Sequence, residues 1–158
     1  MRGAALLLLT IGLVGCSAPA ATPQVSPADR ARVKLVLEES GLVGTWGVDC
    51  SGPRASPDWE HIQIDEGGLA RTVLGADEYE TSYTFIDAAR TAPGEVKATV
   101  VADAPDRKLV VVYRVDGDRQ MTWATATTDG EPLITDGVSK SGRHSEWYHR
   151  CPNGIPRS

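Results

Sequence analysis

From Gly44 onward the chain is a succession of short segments in which apolar and polar residues alternate, separated by turn signals too tight to hold a helix. Trp46, Val48 and Cys50 share one face, and Ile62 and Ile64 alternate with His61, Gln63 and Asp65. Tyr79, Thr81, Tyr83 and Phe85 stand opposite Glu80, Ser82 and Thr84, and Val96, Ala98, Val100 and Ala102 alternate with Lys97 and Thr99. Side chains of a strand point alternately to its two faces, so each segment reads as a strand with one face turned to a core. Residues 69–74 form another short strand, and residues 109–115, nearly continuous valine with Tyr113, are the most β-prone stretch. Met121, Trp123, Thr125 and Thr127 face together, and Trp147, His149 and Cys151 close the series. Gly67-Gly68, Pro93-Gly94, Asp116-Gly117, Asp129-Gly130 and Asp136-Gly137 mark turns, the Asp-Gly pair after Val115 being a hairpin signal. Parallel strands need a crossover of about a dozen residues, and there is no room for one. The expectation is an all-β protein: a small antiparallel up-and-down barrel of about eight strands, whose closure abolishes free edges. A two-sheet sandwich is the alternative.

One helix precedes the strands. Ser26 can cap it, Pro27 suits its first position, Asp29 favours the positive end of its dipole, and Gly41 is a natural stop. Val33, Val36 and Leu37 fall on one face, which the helix is expected to lay against its own barrel.

The start of the chain is of another kind. After Met1-Arg2, residues 4–14 are an apolar run with Leu6, Leu7, Leu8, Leu9, Ile11 and Leu13. A helix of that length falls short of the roughly 20 residues that span a bilayer, and the run has the form of a secretory signal. It ends in Leu13-Val14-Gly15-Cys16, which resembles the lipobox of bacterial lipoprotein precursors. The resemblance implies cleavage before Cys16 and acylation of that cysteine, so that the membrane is a partner through the lipid anchor. Ser17 in place of aspartate implies the periplasmic side of the outer membrane. Residues 1–15 are then a signal peptide, 16–26 a flexible tether rich in Ser, Ala and Pro, and 27–158 the folded domain.

With Cys16 lipidated in an exported protein, Cys50 and Cys151 remain as an even pair in an oxidising compartment, expected as a disulfide. Two buried free thiols are the alternative. Zinc-ligand spacings are missing, and neither a metal nor a cofactor is expected. The net charge of −5 argues against nucleic acid, whose phosphates demand a basic face.

A short helix, then Gly44-Thr45-Trp46 on the first strand, then a meander ending in Arg150, resembles the calycin group: lipocalins, avidins and their bacterial relatives. The resemblance implies that Trp46 closes the bottom of the barrel and that Arg150 or Arg143 stacks over it through a cation–π contact. It also implies a ligand site at the other end, for which Tyr83, Phe85, Tyr113, Met121 and Trp123 are the candidate lining residues. The small lipoprotein protease inhibitors of Gram-negative bacteria are similar too, with a first-strand Trp, a single disulfide and an eight-stranded barrel.

Chemistry beyond binding is not specified. His144, Ser145, Glu146 and His149 do not fit HExxH, and on a strand His149 faces away from the other two, so these read as solvated edge residues. Asp58, Glu60, Asp65, Glu66, Asp77, Glu78 and Glu80 read as surface charge on turns and outer faces. Thr122, Thr125, Thr127 and Thr128 around Trp123 read either as a polar pocket lining or as outward strand threonines. No nucleophile elbow, phosphate loop or Cys/His pair occurs. The functional expectation is a non-catalytic, lipid-anchored envelope lipoprotein whose barrel binds a small apolar ligand or a periplasmic protein. A periplasmic protease or lysozyme inhibitor is the alternative.

Overall fold

The computed structural model describes residues 23–51, 59–76, 79–103 and 107–152. The signal segment, Cys16 and the first part of the tether lie outside them, as do Asp58, Asp77 and Glu78.

Helix α1 (Pro27–Glu39) starts where Ser26 leaves the extended region and its Oγ accepts the Asp29 N–H at 3.2 Å. It stops in a Schellman turn: Gly41, at φ +73°, donates to Glu38 O, and Leu42 donates to Leu37 O, each at 3.0 Å. Val33 and Leu37 are its buried residues, and both join the main core. Burying side chains of this kind contributes about 1.5–3 kcal/mol each, which outweighs the exposed Arg32–Asp87 and Arg90–Glu39 ion pairs that also tie α1 to the sheet.

Ten strands follow: β1 (Gly44–Gly47), β2 (Trp59–Ile64), β3 (Ala70–Ala76), β4 (Tyr79–Ala92), β5 (Glu95–Ala102), β6 (Lys108–Asp116), β7 (Arg119–Thr128), β8 (Glu131–Thr135), β9 (Val138–Ser139) and β10 (Trp147–Arg150). Each pairs antiparallel with the next from β1 to β9. The last strand makes the closure. β10 pairs with β1 through Trp46↔Arg150 and Gly47↔His149, and with β7 through Trp147↔Met121, Tyr148↔Gln120 and His149↔Arg119. Strands β1–β7 and β10 therefore form a closed eight-stranded barrel, and the sandwich alternative is excluded. The β8–β9 hairpin extends from β7 outside the ring. The Asp129-Gly130 turn that the sequence marks leads into β8, and the Asp136-Gly137 turn joins β8 to β9.

Strand β4 runs well past Phe85, although the residues after it lack the β-branched alternation of a strand. Pairing with β5 carries it on to Ala92, at the expense of register shifts between Phe85 and Asp87 and between Arg90 and Ala92. That overhang is the surface on which α1 sits, through Arg32 to the Ala88 carbonyl and to Asp87.

The interior is filled by Ile62, Phe85, Val96, Val100, Leu109, Val111 and Tyr113 beneath α1. At this end Trp46 is fully buried, and its Nε1 donates to Leu42 O at 2.8 Å. The Arg150 guanidinium lies over the Trp46 ring, 4.4 Å from its centroid, and donates to the Val43 and Gly41 carbonyls. Of the two arginines considered for this position, Arg150 occupies it, while Arg143 lies in the loop before β10.

Cys50 and Cys151 form a disulfide across a sequence separation of 101 residues. The bridge packs against Trp59 on the outer face of β2, with Val73 beside it. Gly75 lies under that indole: a Cβ there would come within 2.2 Å of the ring, so the position admits no side chain. Closing a loop of about 100 residues restricts the unfolded chain by up to about 4.7 kcal/mol. Denaturant unfolding of the Cys50→Ser/Cys151→Ser double variant should show a loss of about 2–5 kcal/mol, and adding reductant to the wild-type protein should reproduce it.

Candidate functional site

At the end of the barrel away from α1 a cleft of about 730 Å3 opens between the β8–β9 hairpin and the ring. Leu74, Trp123, Ile134 and Tyr148 form its apolar walls, Thr122 its base, and residues 142–146 its rim. The hairpin turn is held to β7 by Gly137 N–H, which donates to Ala124 O at 2.6 Å, and the loop before β10 is held to that turn by Ser145 N–H, which donates to Gly137 O at 2.7 Å.

Strand β7 is irregular where it meets this cleft. Val112 pairs with Thr125 and Arg114 with Met121, so residues 122–124 all stand opposite Tyr113 alone. The two surplus residues are absorbed by Trp123, whose φ is +51°. A bulky side chain seldom adopts that conformation, which costs about 1–3 kcal/mol. The bulge turns the indole toward the core and the cleft, where Tyr83 meets it edge-on with ring centroids 5.3 Å apart.

Behind the base lies a polar cluster. Glu60, on β2, is completely buried. Its Oε1 accepts from Thr72 Oγ1 at 2.7 Å and from the Tyr113 hydroxyl at 3.0 Å. Its Oε2 accepts from Gln120 Nε2 at 2.9 Å and from Thr122 Oγ1 at 2.6 Å. Four donors from β3, β6 and β7 thus converge on one carboxyl group, and Thr122 belongs to both the cluster and the cleft. All four donors are neutral, and no ion pair reaches Glu60 among the described residues. Burial therefore raises the Glu60 carboxyl above its ordinary range, and the hydrogen bonds from Thr122, Thr72, Tyr113 and Gln120 pull it back only in part. Burial also holds the Tyr113 hydroxyl well above its ordinary range, reinforced by the adjacent Glu60. The Trp123 indole N–H lies close enough to the Tyr113 oxygen to oppose that rise electrostatically, without completing a hydrogen bond of its own.

Gln120 Oε1 is buried without a hydrogen-bond partner. A protonated Glu60 needs one acceptor among its neighbours, and turning the Gln120 amide over supplies it. The cluster is therefore equipped for both protonation states of Glu60.

The residues anticipated from sequence are dispersed over three environments. Trp123 lines the cleft, and Tyr83 supports it from behind. Phe85 and Tyr113 are core residues, with ring centroids 6.3 Å apart. Met121 faces outward, beneath the Gly137 turn, because Gln120 and Thr122 take the inward positions on either side of it. Of the β7 threonines it is Thr122 that enters the site. His144, Ser145 and Glu146 lie not on a strand but in the loop before β10, and share the rim, whereas His149 is exposed on β10 opposite Arg119 and Gly47. Among the described residues no group of three or more His, Cys, Asp and Glu side chains is placed to hold a metal ion.

Glu60 corrects the reading of the early acidic residues as surface charge: it points into the core. The signal was present, since Glu60 is in phase with Ile62 and Ile64 on the apolar face of its strand. A carboxylate at such a position is either paired with donors or protonated.

Comparison of the chain with protein-family models, with curated proteins and with solved structures gave no match.

The raised Glu60 carboxyl gives stability a definite pH dependence. Between the ordinary carboxyl value of 4.5 and its higher value in the folded state, the native protein holds the proton more tightly than the unfolded chain. Its contribution to stability is therefore greatest below that window and is lost as pH rises through it. The difference in unfolding free energy between wild type and Glu60→Gln, measured by denaturant titration from pH 4 to pH 8, should shift steadily against wild type. A difference that is flat, or that moves the other way, contradicts the assignment.

Proposed function

We propose that this protein is a non-catalytic, lipid-anchored envelope lipoprotein that holds a small ligand, or an inserted segment of a partner protein, in the cleft lined by Trp123. The observation that carries this reading is Trp123 itself. A strained backbone conformation persists only where its surroundings impose it, and such strain clusters at binding sites. Here it sets an indole into the wall of a cleft whose size suits a small molecule or short peptide. The filled interior beneath α1 favours the mouth over a central cavity as the seat of a ligand.

Fluorescence titration of the soluble domain with N-phenyl-1-naphthylamine, a neutral aromatic probe, tests the site. Saturable binding, weakened about tenfold or more by Trp123→Ala and by Tyr148→Ala, is expected. No saturable binding, or binding indifferent to both changes, overturns the proposal. Native mass spectrometry of protein purified from its own envelope should then show an added mass that Trp123→Ala reduces.

The anchor rests on the Leu13-Val14-Gly15-Cys16 segment. Cys16→Ser should move the protein from the membrane fraction to the soluble fraction, followed by immunoblotting of the two. Retention in the membrane fraction counts against lipidation at Cys16.

A further inference from the structure

The rim of the cleft carries one cation and one anion that the fold does not use. Two other pairs of charges on the hairpin and its neighbours are engaged with each other: Lys140 with Glu131 at 3.8 Å and Arg114 with Asp136 at 3.2 Å. Arg143 and Glu146 both line the cleft, both are exposed, and neither has an ion-pair partner among the described residues. They stand three residues apart in the same loop yet do not pair with each other. The loop carrying them is fixed from both sides. Ser139 N–H donates to Arg143 O at 2.9 Å, Arg143 N–H donates to Ser139 Oγ at 3.0 Å, and Ser145 N–H is bonded to Gly137. The two charges are thus displayed by a held backbone beside apolar walls. His144 and the Tyr148 phenol are the other titratable groups of the lining.

We propose that the cleft takes a short zwitterionic peptide of two or three residues, its carboxylate at Arg143, its ammonium at Glu146, and an apolar side chain against Leu74, Trp123, Ile134 and Tyr148. A guanidinium recognises a carboxylate in a forked geometry, which favours a carboxyl terminus over a diffuse anion at Arg143. A ligand bearing only one charge would leave the opposite rim charge either unused or repulsive, which is a basis for selectivity. The apolar walls exclude a ligand that is charge alone, and the volume of about 730 Å3 admits two or three residues but not a folded partner. The Ser145 hydroxyl, on the same rim, offers a donor and an acceptor to the peptide group.

This inference rests on the cleft being a ligand site, and the experiment separates the two. Isothermal titration of the soluble, disulfide-bonded domain is carried out with the dipeptide Leu-Phe, its N-acetyl form, its C-terminal amide and the doubly blocked peptide. Leu-Phe should bind tightest, and blocking either end should weaken binding about three- to tenfold. In Arg143→Gln, amidation should no longer matter; in Glu146→Gln, acetylation should no longer matter. Both side chains are exposed on the rim and tie nothing else together, so these changes leave folding intact. Equal binding of all four peptides, or retention of end-sensitivity in the variants, overturns the proposal. If no peptide binds while N-phenyl-1-naphthylamine does so through Trp123, the peptide assignment fails and the ligand site stands. If neither binds, both fail.

Discussion

The carboxyl group of Glu60 is the interaction on which the mouth of this barrel depends. Strands β2, β3, β6 and β7 each contribute to its cluster, so a single group ties opposite walls of the ring together. Removing it would take their carboxylate acceptor from the Thr72, Tyr113 and Thr122 hydroxyls, at about 1–3 kcal/mol for each one left buried and unpaired, while Gln120 would keep its bond to Thr122 Oγ1. The strength of the cluster lies in satisfaction rather than charge. Among the described residues no cation pairs with it to repay the desolvation of a carboxylate, and burial dominates its proton affinity. Through Thr122 and Tyr113 the same cluster fixes the base of the cleft and the strand opposite the β7 bulge, so binding surface and core are one construction.

The two ends of the barrel solve different problems. The α1 end is closed by ordinary means: an amphipathic helix over a β4 overhang, and Trp46 sealed between Leu42 and Arg150. These contacts involve no unusual backbone at the aromatic residue. The other end accepts a tryptophan at positive φ and leaves the indole N–H and the Gln120 carbonyl without regular partners. The α1 end has irregularities of its own, the β4 register shifts, but the bulky residue at positive φ lies at the cleft.

The fold was legible because antiparallel pairing of neighbours leaves its mark in alternation and turn dipeptides, both local properties. Apart from β4 beyond Phe85, the segments from Ile62 to Val115 alternate as they pair, and the Cys50–Cys151 pairing was the expectation for an exported chain with an even pair of cysteines left over. The site was less legible for a physical reason. Thr122, Trp123 and Tyr148 come together only when β10 enters the ring and the β8–β9 hairpin folds back, events with no local signature. The β7 bulge also breaks the parity on which face assignments rest, so Met121 and Trp123, two apart, do not share a face. Glu60 is the exception. Its phase with Ile62 and Ile64 was readable, but an acidic residue among other acidic residues reads as surface until its neighbours are known.

One consequence concerns the order in which the molecule can be made. β10 is the last of the described strands, yet among the described residues it alone joins β1 to β7. Until residues 147–150 have emerged, both of those strands present open edges and the ring cannot shut. The polypeptide must therefore be complete before it is stable, and its contacts of long sequence separation make that last step slow relative to hairpin formation. Once Cys151 meets Cys50, the seam is locked covalently next to the place where it closed.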